Sequence, residues 1–133
     1  MAKPANAHPT GLELEILKVL WVHAPRTVRE IRDELAAGGR DLAHTTVITM
    51  LGTMVKKRQI KKLRPEVGKA FRFAPVIARE SVSHGMLNDL VQRVFDGSAE
   101  ALMLGLFDVA DLDGAELAKL RKLLNQRIGE KKS

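Results

Sequence analysis

The 133-residue sequence has no cysteine and no tyrosine, one tryptophan and four phenylalanines. Without thiols there is no disulfide, no thiolate metal site and no cysteine nucleophile, and the chain suits a reducing compartment. Aromatics at 4% of residues are too few for the stacking platforms that usually hold single-stranded nucleic acid. No apolar run approaches membrane-spanning length and no apolar signal segment opens the sequence, so a soluble, cytoplasmic protein is expected. His8, His23, His44 and His84 are scattered, without paired-ligand spacing, and the Gly38-Gly39 pair is a helix stop rather than a phosphate-cradling loop. The acid pairs Glu13/Glu15 and Asp111/Asp113 read as helix caps or solvated faces. No enzyme, metal site or cofactor is expected.

What is present is positive charge, unevenly placed. The net charge is +6. Residues 1–75 hold 14 Lys/Arg against 7 Asp/Glu, whereas residues 76–133 hold 8 against 9. Between 56 and 72 there are eight basic residues and a single acid, Glu66. One half is therefore suited to meet a polyanion and the other half to do something else.

The segment from His44 to Pro75 concentrates this charge. Val47, Leu51, Met54 and Val55 recur at helical spacing and form a face to bury. The other side carries Thr45, Thr46, Thr49, Gly52, Thr53 and Lys56, with no acid, and runs into Lys57 and Arg58. Two strand-like runs follow, Ile60 to Arg64 and Ala70 to Phe73, around a Pro65–Lys69 turn. Phe71 and Phe73 fall on one face by period-two alternation and Arg72 on the other. Upstream, Thr10 with Glu13 and Thr27 with Glu30 are capping boxes, which predict helices from about Gly11 to His23 and from Val28 to Ala37. Leu12, Ile16, Val19 and Leu20 mark the buried stripe of the first. No strand is expected before either helix. Two short helices and a basic hairpin outline a winged helix-turn-helix domain over 10–75, after a flexible tail at 1–9.

The remainder, 76–133, reads as helices only. Val82, Met86, Leu87, Leu90 and Val94 make one stripe; Leu102 and Leu106 belong to a short helix apolar nearly all round; Leu117, Leu120 and Leu124 line a last helix. Three short amphipathic helices bury little surface alone, which points to a dimerisation module. The fold class is thus mainly α with a small β-hairpin wing. In such a domain the threonine hydroxyls of Thr45, Thr46 and Thr49 would meet base edges or phosphates and their methyls thymine methyls, with Thr53 also on the DNA-binding side. Lys56, Lys57, Arg58, Lys61, Lys62, Lys69 and Arg72 would mostly neutralise phosphate. A winged-helix adaptor that binds another protein is the competing reading, though it has no need of an acid-free basic segment.

The stretches LELEILKVLW (Leu12 to Trp21), TVREIRDEL (Thr27 to Leu35), HTTVITMLGTMVKK (His44 to Lys57) and AFRFAPVIARES (Ala70 to Ser81) resemble the BlaI/MecI/CopY-type penicillinase repressors, winged-helix transcription regulators of bacteria. LVQRVFDGS (Leu90 to Ser98) and AELAKLRKLL (Ala115 to Leu124) resemble that family's C-terminal module. The resemblance implies a homodimer on a palindromic double-stranded operator, repressing transcription. It also implies release through a membrane-bound sensor protease, with Gly105 and Leu106 at the matching cleavage point, where the family pattern has an Asn-Phe pair. Thr53 and Arg58 stand where the pattern has an arginine and a turn glycine, and the cysteines of the copper-responsive branch are absent.

Overall fold

The computed structural model describes residues 8–132; most of the tail expected at 1–9 lies outside them. The elements run α1 (Gly11–His23), β1 (Arg26–Thr27), α2 (Val28–Ala37), α3 (His44–Lys56), β2 (Ile60–Leu63), β3 (Arg72–Pro75), α4 (Arg79–Arg93), α5 (Ala99–Val109) and α6 (Gly114–Lys132). The chain divides into two compact units, the first ending at Asn88 and the second beginning at Asp89.

Both capping boxes form. The Glu13 amide donates to Thr10 Oγ1 and the Thr10 amide to Glu13 Oε1, at 3.3 and 2.9 Å. Thr27 and Glu30 repeat the arrangement at 3.2 and 2.9 Å. Each box satisfies two amides that a helix start would otherwise leave without partners. Gly39 closes α2 at φ 95°, and its amide bonds the Ala36 carbonyl while that of Arg40 bonds Leu35. A left-handed residue there is what a Schellman end requires, and glycine adopts it without strain.

The core of the first unit is Ile16, Leu17 and Leu20 from α1, Ile31 and Leu35 from α2, Val47, Leu51 and Met54 from α3, and Ile60 and Phe73 from the sheet. The α1 stripe is rotated from the expected one: Leu17 is fully buried, and Leu12 and Val19 only flank the core. Two further helices, α2 and α3, and the sheet share this core with α1, and this sets the rotation. The Trp21 indole flanks the same core and donates to the Ile77 carbonyl at 2.9 Å.

The sheet differs from expectation in two ways. It has three strands in the order β1-β3-β2, all antiparallel. β1 immediately precedes α2, contrary to the expectation that no strand does, and pairs Arg26 with Phe73 and Thr27 with Arg72. The last strand also begins later than the sequence suggests, because Ile60 pairs with Pro75 and Lys62 with Phe73. Phe71 therefore falls ahead of β3. It is 44% exposed while Phe73 is buried, although both residues line the same cleft beside α3.

Val82, at the start of α4, is 8% exposed and belongs to the first unit, beside a groove lined by Leu14, Lys18 and Trp21. Val82 is among the residues expected to form the dimer, but burial within its own chain leaves it little area to offer a partner. The expected division at 75/76 precedes these contacts.

In the second unit Ser98 caps α5, accepting from the Ala101 amide at 3.1 Å, and Asp113 Oδ1 accepts from the Glu116 amide at the start of α6 at 2.8 Å. Neither helix contains a buried residue. Leu106, Leu117, Leu120 and Leu124 are all exposed, as are Leu90 on α4 and Val94 just past its end, and Leu102 is half-buried. Among the described residues no helix is long and apolar enough to cross a membrane.

Candidate nucleic-acid interface

α3 buries Val47, Leu51 and Met54, which turns its opposite side outward. Thr45, Thr46, Thr49, Thr53 and Lys56 all lie exposed there. The helix has no acid in its first turn and no side-chain cap from Ala43. Its first amides are thus open to an anion, with the helix dipole favouring negative charge at that end. The threonines present hydroxyls and methyls on short, χ1-restricted stems, so little rotamer entropy is lost on contact.

The wing adds cations. Lys61, Lys62 and Lys69 are exposed on or beside its strands. Lys62 Nζ sits 4.3 Å from the centroid of the Phe71 ring, close enough for cation–π attraction. Gly68 takes φ 75° in the connecting turn.

Two of the residues expected to meet phosphate have partners inside the protein. Lys57 Nζ bonds Glu13 Oε2 at 2.7 Å, and its side chain is only 28% exposed. Arg72 donates through Nη2 to the Arg64 carbonyl at 3.0 Å and lies 3.6 Å from Glu66 through Nη1. Its role is to brace the wing turn. A linear sequence shows the charge of both but not these partners.

Glu13 is a residue the sequence marked only as a cap. It is 1% exposed and binds the Thr10 amide, the Lys57 ammonium and Gln59 Nε2, the last at 3.2 Å. Burial pushes its carboxyl up, but the Lys57, Thr10 and Gln59 donors outweigh this and hold it below the ordinary carboxylate value. One buried carboxylate in α1 therefore fixes the point where α3 passes into the wing. Lys57 and Gln59 lie 44 and 46 residues away in sequence, beyond the reach of any local signal.

Arg58 occupies that passage with φ 62°. The Gln59 amide bonds the Met54 carbonyl and the Arg58 amide bonds Val55, both at 3.0 Å, a Schellman end with arginine at the left-handed position. This explains the turn glycine of the family pattern. Arg58→Gly is expected to stabilise the fold by about 1 kcal/mol in urea unfolding, by relieving left-handed strain. It should also weaken DNA binding slightly through the lost charge. A less stable variant would contradict this account of the turn.

Gly105 and Leu106 lie within α5. A bond in helical backbone must unwind before an endoprotease can hold it extended. Among the described residues no group of three or more His, Asp or Glu side chains could hold a metal ion.

The family described as penicillinase repressor matches residues 9–126. The transcriptional regulator BlaI of Mycobacterium tuberculosis is 34% identical over 107 residues, covering 79% of this chain and 75% of that protein. The penicillinase repressor of Bacillus licheniformis is 28% identical over 124 residues, covering 90% and 91%. The methicillin resistance regulatory protein MecI of Mammaliicoccus sciuri is 23% identical over 118 residues, covering 89% and 94%. A winged-helix unit carried on these residues, matched along nearly its whole length, places the chain in the penicillinase repressor family, whose members are transcriptional regulators and not enzymes.

Proposed function

We propose that the protein is a sequence-specific transcriptional repressor that binds a palindromic operator as a homodimer. The observation that carries this is the acid-free outer side of α3, with four exposed threonines running into the exposed lysines of the wing. Threonines on a helix that fits the major groove read base edges, and the surrounding cations supply affinity without sequence information. The regulatory names of its relatives support the same reading.

Dimerisation, assigned to residues 76–133, is supported by the unburied apolar faces of α5 and α6. A second copy would cover them and set two recognition helices on a two-fold axis, so half-sites would lie about one helical turn apart or a small multiple of it. Release then follows from any event that separates the two copies. Cleavage at Gly105–Leu106 by a membrane-bound sensor protease, which would remove α6, is one such event.

With Lys57 and Arg72 engaged internally, Lys56, Arg58, Lys61, Lys62 and Lys69 are left to meet phosphate. If three or four phosphates are neutralised per subunit, log affinity should fall against log salt with a slope of roughly −6 for the dimer. The test is a salt series on DNA from just upstream of the protein's own gene, beside an unrelated duplex. Saturable preference for the upstream DNA with that slope is the expected result. Equal weak binding to both would leave only a basic surface, and no binding to either at low salt would favour a protein-binding adaptor.

A further inference from the structure

We propose that the cleft between α3 and the wing is a binding site for a small aromatic monocarboxylate, and that its occupancy excludes DNA from the same face. The cleft measures about 680 Å³, within the range of ordinary small-molecule sites. Its walls come from three elements: Val28 of α2, Ile48 and Val55 of α3, and Phe71 and Phe73 of the hairpin. Gly52 also lines it, and a Cβ built there would meet nothing within 4 Å. The missing side chain is part of what leaves the cleft open.

Two of the walls have no role in the fold or in phosphate binding. Ile48 is 47% exposed and Phe71 44%, amid a surface of threonines and lysines. Leaving them wet costs hydrophobic free energy that neither the core nor a phosphate recovers. Arg29, Lys56 and Lys62 add cations to the lining and His44 an imidazole, and no Asp or Glu lines the cleft. The lining thus joins apolar walls to cations without a counter-charge. A neutral hydrocarbon would use only the walls, and inorganic phosphate only the cations. An aryl carboxylate uses both: its ring is covered by the apolar walls while its carboxylate meets the cations, of which Lys62 already lies over the Phe71 ring.

Lys56 and Lys62 also belong to the surface assigned to DNA, so carboxylate and phosphate compete for them. This competition rests on the repressor reading, whereas occupation of the cleft does not. The experiment is therefore split. In the first arm, 2-naphthoate is titrated into the full-length protein without DNA and followed by ¹H–¹⁵N NMR. Saturable shifts centred on Ile48, Gly52 and Phe71 are expected. Gly52→Leu should fill the cleft and weaken binding about tenfold, the equivalent of losing roughly 60 Å² of apolar contact. It should melt no lower than the parent, because leucine is the better helix former. Phe71→Ala, which removes an exposed wall, should weaken binding independently, and 2-naphthamide should bind less well than the acid. Absence of saturable shifts, shifts indifferent to both substitutions, or the same shifts from inorganic phosphate would each overturn the site. In the second arm, 2-naphthoate should raise the apparent Kd for operator DNA. Binding to the cleft without that change would overturn the competition and leave the repressor reading intact.

Discussion

Leu120→Asp is expected to turn the protein into a folded monomer that no longer holds its operator. Leu120 is 43% exposed on α6, along with Leu117, Leu124 and Ile128. These recur at helical spacing and form one apolar face. In a monomer an aspartate there is solvated and costs little. In a dimer that covers this face it would strand a carboxylate in apolar surroundings, a penalty of several kcal/mol in each subunit. Circular dichroism should therefore change little while light scattering reports half the mass. Operator affinity should fall by at least about a thousandfold, because a single subunit makes half the contacts and loses the linkage between half-sites. Leu90→Asp, on the exposed part of α4, should act alike. Gln126→Asp, also exposed and on the opposite side of α6 by helical spacing, controls for charge and should leave both mass and binding in place. A Leu120→Asp protein that remains dimeric and still binds would remove α6 from the assembly and return dimerisation to some other surface.

How far the sequence discloses this arrangement depends on the reach of each signal. The capping boxes at Thr10 and Thr27, the Gly38-Gly39 stop and the Val47, Leu51, Met54 stripe are local, and each predicts what forms within a few residues of it. The outward threonines follow from the same stripe, since burying one side of a helix exposes the other. β1 gave no such signal: two residues cannot display alternation, and Arg26 and Thr27 are extended only because they pair with Phe73 and Arg72. The fates of Lys57 and Arg72 were hidden for the same reason, as a cation's partner is a matter of tertiary contact. Arg58 sits between these cases. Its left-handed backbone could be suspected from a missing turn glycine, but not its bonding to Met54 and Val55. Ile48 left a trace that could have been followed: it is apolar, yet lies outside the buried stripe.

Glu13→Ala should produce the largest loss of stability from any single polar group in the first unit, about 2–3 kcal/mol at neutral pH. Two contributions add. The capping box loses the bond from the Thr10 amide to the Glu13 carboxylate, worth about 1 kcal/mol, while the amide of residue 13 still donates to Thr10 Oγ1, and Lys57 and Gln59 lose their shared acceptor. The Lys57 side chain retains some exposure and can turn its ammonium to water, so the loss stays below that of a fully buried orphaned charge. The dependence on pH has a fixed sign. The folded carboxyl lies below its ordinary value, so its contribution is present above the unfolded pKa of about 4.3 and disappears as pH falls through the folded value. Parent and variant should therefore differ most in urea at pH 7 and converge as the solution is made strongly acidic. Glu13→Gln, which can keep the uncharged bonds, should lose less and show the same convergence. A gap independent of pH would mean that Glu13 contributes packing and not charge. The variant should also bind DNA less well than its stability alone predicts, since the carboxylate ties the end of α3 to the start of the wing through Lys57 and Gln59. The double variant Glu13→Ala, Lys57→Ala separates these effects. If Lys57 acts only through Glu13, removing it from the Glu13→Ala protein should change affinity little. If Lys57 also meets phosphate, the second substitution should weaken binding further and make the salt slope shallower by about one for each subunit.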